Sequence, residues 1–164
     1  MNDYYSRKQK RVNRGAVGAE LNNQLEGSEL GMVHRGFWHQ ALRGRASPQQ
    51  LHEISNGGKC DLELHMVGDA YAVFAAVTAS EVQVPSEKSL MCAVRALRGR
   101  LESGALTALH RCGTRGMLCD ALTKGGIARN ELVQAFAQGR WLMLITDQVH
   151  SWRASRAERL HAMD

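Results

Sequence analysis

The stretch "DLELHMVGDA", residues 61 to 70, sets Leu62, Leu64 and Met66 against Asp61, Glu63 and His65 in strict alternation. Side chains point to opposite faces along a strand, so a period of two predicts a β-strand buried on one side. Asp69 falls just past the last alternating position. The next residues, "AYAVFAAVTAS" from 70 to 80, are alanine-rich and do not alternate, which predicts a helix. A strand running directly into a helix is a unit of layered α/β proteins, so a mixed sheet with flanking helices is expected rather than a bundle or a sandwich.

Upstream, Leu21, Leu25, Leu30, Val33, Phe37 and Ala41 recur at gaps of three to five, which predicts a helix from about Ala16 to Leu42 with those residues inward. Before it, "SRKQKRVNR" at 6 to 14 carries five positive charges in nine residues and fits either an edge strand or a solvated arm. "QQLHEISNGGKC" at 49 to 60 reads as a short helical turn or loop stopped by Asn-Gly-Gly.

Downstream, "SEKSLMCAVRALRGRLESG" at 86 to 104 places Leu90, Val94, Leu97 and Leu101 at helical spacing. Ser86 is its expected cap and Gly104 its stop. "ALTALHRCG" at 105 to 113 alternates weakly and reads as a short strand. "ARNELVQAFAQGRWLML" at 128 to 144 predicts an amphipathic helix ending near Gly139, with Leu132 and Phe136 inward and Val133 as a further candidate. Residues 1 to 146 are thus expected to form one domain, and 147 to 164 a basic, helical tail.

With 164 residues and 44% hydrophobic content the chain can bury one core. Its 21 Lys and Arg against 16 Asp and Glu favour a polyanionic partner. Cys60, Cys92, Cys112 and Cys119 lack the spacing of zinc knuckles or ribbons, and the seven histidines look scattered. His110 beside Cys112 reads as a packed strand pair. Trp38, Trp141 and Trp152 read as buried anchors or as stacking platforms for bases. No signal-like or membrane-spanning run is apparent, so an intracellular chain, cytoplasmic or nuclear, with no membrane partner is expected.

Three acids occupy notable places. Glu20 lies in the first turns of the long helix and Asp69 at the exit of a strand. Asp120, in "MLCDALTKGG" at 117 to 126, stands at the entrance of a helix. Each alone has an ordinary explanation, since acids favour helix starts and Asp favours turns. Together, at strand ends of an α/β sheet, they could hold hard divalent cations through oxygen. Two such ions roughly 3.5 to 4 Å apart activate water and stabilise the leaving oxygen in phosphodiester cleavage.

Several blocks resemble the ribonuclease H domain of copia-type retrotransposon Pol polyproteins. "SRKQKRVNRGAVGAEL" is similar to that family's Ser-Lys-Lys-Gln-like strand and the helix bearing an Ala-Glu pair. "VGDAYAVFAAV" resembles its short strand ending in Asp. "SEKSLMCAVRALRGRLESGALTALHRCGTRGMLCDALTKGG" resembles its terminal portion, with a Met-Leu-Ala-Asp-Ala-Leu-Thr-Lys block. The likeness covers about Ser6 to Trp141. It implies a ribonuclease H-like fold in which Glu20, Asp69 and Asp120 are three of four catalytic, metal-binding carboxylates. It further implies two Mg²⁺ ions, with Mn²⁺ as a substitute, and hydrolysis of the RNA strand of RNA:DNA hybrids. Arg7, Lys8, Lys10 and Arg11 would meet backbone phosphates. The parent polyprotein would supply a reverse transcriptase domain as a partner.

The sequence also departs from that pattern. The family's first catalytic aspartate lies well upstream of the Ser-Lys-Lys-Gln segment, and Asp3 is too close to that segment to replace it. The resemblance therefore implies an N-terminally truncated domain without its first ligand and two strands, inactive alone. Gly68 stands where the family has Thr or Cys, and Gly15 and Gly18 where it has Ser, Thr or Ala. The alternative is a non-catalytic basic module, exapted or relic, that binds nucleic acid or protein by charge.

Overall fold

A computed structural model describes residues 15–57, 60–80, 88–113, 117, 129–140 and 143–151; for Arg129, Glu131 and Leu132 it describes the backbone alone. The elements run α1 (Ala16–Arg43), α2 (Pro48–Ser55), β1 (His65–Gly68), α3 (Tyr71–Thr78), a 3₁₀ turn (Lys88–Leu90), α4 (Met91–Ser103), β2 (Ala108–Cys112), α5 (Arg129–Gln138) and β3 (Ile145–His150). The strands form one mixed sheet in the order β1-β2-β3. β1 is parallel to β2, with His65 opposite Ala108 and Gly68 opposite Arg111. β3 is antiparallel to β2, and its register shifts at Arg111/Cys112. Among the described residues no helix is long and apolar enough to cross a membrane.

The core forms where the helical and strand periods agree on one layer. Leu90, Val94, Leu97 and Leu101 are all buried. They pack with Val73 and Val77 of α3, Leu21 of α1, and Leu106 and Leu109 from the β2 side. Leu90 lies in the 3₁₀ turn that leads into α4, so the apolar stripe starts before the helix itself. α4 ends on Gly104, whose φ of 78° is the left-handed conformation that favours glycine. Gly57 combines a φ of 79° with close approach: a Cβ there would run into the Ser103 carbonyl and lie 2.6 Å from the Ala105 nitrogen. The turn after α2 is thereby seated against the end of α4.

α2 starts on a reciprocal cap. Gln50 N–H donates to Ser47 Oγ at 3.2 Å and Ser47 N–H to Gln50 Oε1 at 2.8 Å, with Pro48 in the first turn. α1 has no side-chain cap; Gly15 occupies its N-cap, a position glycine tolerates, so of Gly15 and Gly18 only the second lies within the helix, where it is buried.

Several expectations are corrected. α1 does run from Ala16, but its buried positions are Gly18, Leu21, Asn22, Ser28, Arg35 and Gly36. Val33 and Phe37 are 67% and 63% exposed, and Ala41 is exposed too. The predicted apolar stripe drifts off the buried face because the inward positions follow three-four spacing from Leu21 through Leu25 and Ser28 to Arg35, and the last two are polar. In α5, Val133 and Phe136 are exposed and Ala135 is buried, while the side chain of Leu132, also expected inward, lies outside what is described. The alternating stretch forms a strand only over His65–Gly68; Leu62 and Leu64 precede it, half-buried. β3 was not expected. It crosses the 146/147 boundary, so residues 147 to 150 are strand rather than helix. The tail from 152, the Ser6–Arg14 segment and the Ser86 cap lie outside the described residues.

Candidate functional site

α1 and β1 lie side by side and leave a cleft of about 360 Å³ between them. On the helix side its wall is Glu20, Gln24 and Ser28, spaced four apart and therefore on one face. On the sheet side the cleft follows β1 to Gly68 and Asp69, and Met117 also reaches it. Glu20 and Asp69, the two described members of the expected carboxylate set, are both half-buried and line this same cleft. Asp120 lies outside the described residues, as do Arg7, Lys8, Lys10 and Arg11. Met117, first residue of the "MLCDALTKGG" block, stands three positions before Asp120.

The lining mixes polar side chains with Leu64, Met66, Val67 and Leu106. Gln24 Oε1 is buried and has no hydrogen-bond partner. A Cβ added at Gly68 would collide with the Gln24 amide nitrogen, so the space a larger residue would fill at 68 is taken by that amide. Ser28 donates to Leu25 O at 2.8 Å, and Arg100 of α4 reaches across to Leu25 O at 3.0 Å, to Ser28 Oγ and to Glu29 at 3.0 Å. Glu20, Gln24 and Asp69 bring two carboxylates and an amide to this lining, beside Asn23, Ser28, His65 and Met117.

Two further clusters escaped the sequence reading. The first is a row of imidazoles across the sheet. His65 Nδ1 and His110 Nε2 lie 2.9 Å apart with their rings stacked, and His150 meets His110 edge-on at 6.2 Å between centroids. Glu63 takes the other nitrogen of His65 at 2.9 Å. Burial first, then the charges of His65 and His150, hold the His110 pKa below the usual imidazole value. Register alone creates this row: His65 and His150 both pair with Ala108, two residues along β2 from His110 and therefore on the same side of the sheet.

The second cluster sits at the far end of α1. His39 Nδ1 lies 3.8 Å from Cys60 Sγ and 3.8 Å from Asp61 Oδ1. Arg43, one turn on, grips the other oxygen, Asp61 Oδ2, through Nε at 2.7 Å and through Nη2. That guanidinium holds the Asp61 carboxyl below the ordinary carboxylate range. A residue spacing of 21 between His39 and Cys60 hid the pair; only the turn of the chain after α2 brings them together.

No family model matches this sequence, and comparison with curated proteins and with solved structures finds no match.

Proposed function

We propose that the chain is part of a ribonuclease H-type domain from a copia-type retrotransposon polyprotein, with Glu20, Asp69 and Asp120 as its carboxylate set for Mg²⁺. What carries the reading is that Glu20 and Asp69, 49 positions apart in the sequence, line one cleft beside an unpartnered Gln24 carbonyl. The "MLCDALTKGG" block meets the same cleft at Met117. The sequence resemblance assigns the same two acids independently of this geometry.

In this reading Glu20 and Asp69 hold the ion shared with the attacking water, and Asp120 is the outer ligand of the second. Bound Mg²⁺ would supply charge neutralisation at the scissile phosphate. The chain's own part is to hold those acids against the cleft wall, with the basic residues Arg7, Lys8, Lys10 and Arg11 on the hybrid backbone.

The test is the affinity of the full chain for an RNA:DNA hybrid with and without Mg²⁺. Mg²⁺ is expected to tighten binding several-fold in the wild type and to have no effect in Glu20→Gln/Asp69→Asn. Binding that falls with salt but ignores Mg²⁺ in both proteins would instead support the basic interaction module.

A further inference from the structure

The His39, Cys60 and Asp61 cluster lies at the opposite end of α1 from Glu20. Nineteen residues of helix at about 1.5 Å each put roughly 28 Å between the two along the axis. We propose that His39, Cys60 and Asp61 form a binding site for a borderline-soft divalent cation of the Zn²⁺ class, separate from the carboxylate cleft.

The three donor atoms all lie within 4.8 Å of one another. Around a tetrahedral Zn²⁺, bonds of about 2.0 to 2.3 Å place neighbouring donors roughly 3.3 to 3.6 Å apart. The two measured His39 separations, each 3.8 Å, need only a small contraction to reach that geometry. Two of the donors are also tied to α1. His39 belongs to the last turns of α1, and Asp61 is tied to the same helix through Arg43, which occupies Oδ2 and leaves Oδ1 turned toward His39.

A catalytic relay is the other use for a Cys, a His and an acid, and the geometry speaks against it. A relay needs the thiol on one imidazole nitrogen and the carboxylate on the other. Here both approach Nδ1. Three donors converging on one point describe ligation instead.

The donor chemistry selects the ion. A thiolate and an imidazole with one carboxylate suit Zn²⁺, whereas Mg²⁺ and Ca²⁺ call for oxygen alone. Binding forms metal–sulfur, metal–nitrogen and metal–oxygen bonds, and the Cys60 thiol proton leaves to solvent. The Asp61 side chain is 45% exposed, so the fourth position opens to water.

The experiment is a Co²⁺ titration of the reduced, full-length chain followed by absorption, with Zn²⁺ added afterwards. A thiolate-to-cobalt charge-transfer band and the intense visible bands of four-coordinate Co²⁺ are expected, both bleached by Zn²⁺ and unmoved by excess Mg²⁺. Cys60→Ser should abolish the charge-transfer band, and His39→Gln or Asp61→Asn should weaken Co²⁺ binding at least about tenfold. Cys92→Ser, at an exposed thiol outside the cluster, should change nothing. A wild-type chain without the thiolate band, a band that survives Cys60→Ser, or bleaching by Mg²⁺ would each overturn the site. Since the readout involves no nucleic acid, failure of the ribonuclease H reading leaves this result untouched.

Discussion

The two halves of α1 are held in different ways. From Gly18 to Ser28 the helix packs on the core through Leu21 and Leu25, and its polar face lines the cleft. From Val33 to Leu42 the large apolar side chains Val33, Phe37 and Leu42 are exposed, and the buried residues are Arg35 and Gly36. Arg35 Nη1 donates to Ala105 O at 3.0 Å, while Nε has no partner. Further along, His39 and Arg43 bind the Cys60–Asp61 segment. Between the two halves, Gly31 lets Leu64 approach the helix closely, with 2.7 Å between the Leu64 Cδ1 and the place a Cβ would take. In the second half the apolar side chains therefore do not mark the packed face, which is carried by an arginine and a glycine.

Substitutions at the two ends should separate these modes most sharply. Leu21, 2% exposed, should lose about 2 to 5 kcal/mol of stability when changed to Ala, from lost burial and the cavity left behind. Phe37→Ala should stay within about 0.5 kcal/mol despite removing a larger side chain. Paired urea melts check both; equal losses would erase the distinction between the halves.

A smaller effect is expected at the polar anchor. Arg35→Ala strips the buried stem and leaves the Ala105 carbonyl unpaired, at a cost of about 1 to 3 kcal/mol. The same melts decide it, and amide exchange should rise first in Phe37 to Arg43 rather than around Leu21. Uniform exchange along α1 would mean that Arg35 does not anchor its second half.

The comparison also explains what was legible in the sequence. Where burial follows one period, the reading was direct: Leu90, Val94, Leu97 and Leu101 are buried as spaced, and α3 and β2 fall where their composition places them. β3, "ITDQVH", has no apolar alternation and is mostly exposed or half-buried, so nothing in its pattern announces a strand. Glu20 and Asp69 were picked out by their places at a helix start and a strand exit. The histidine row and the His39–Cys60–Asp61 cluster were not, since their proximity depends on strand register and on the path after α2. The zinc-knuckle spacing that the cysteines lack is a local signature, and a site assembled from distant segments leaves none.

Thr107, just ahead of β2, ties the starts of β1 and β2 to the end of β3. Its N–H donates to Leu64 O at 2.8 Å, its Oγ1 accepts from Leu64 N–H at 3.0 Å, and its carbonyl accepts from Ser151 N–H at 2.7 Å. Leu64 and Thr107 are 43 positions apart, and no described strand pairs with a neighbour through a tight hairpin. Every rung of this sheet must therefore close a long loop before it is rewarded, while α1 and α4 rely on local bonds that form far sooner. The sheet becomes the late event of folding, and Thr107 the latch that sets when it comes undone. Thr107→Val, which keeps the shape but removes the Oγ1 acceptor, should cost about 1 to 2 kcal/mol. In stopped-flow experiments that loss should show as unfolding roughly five- to thirty-fold faster, with refolding little changed. A slowed refolding arm would instead mean that the sheet assembles early, ahead of the helices that cover it.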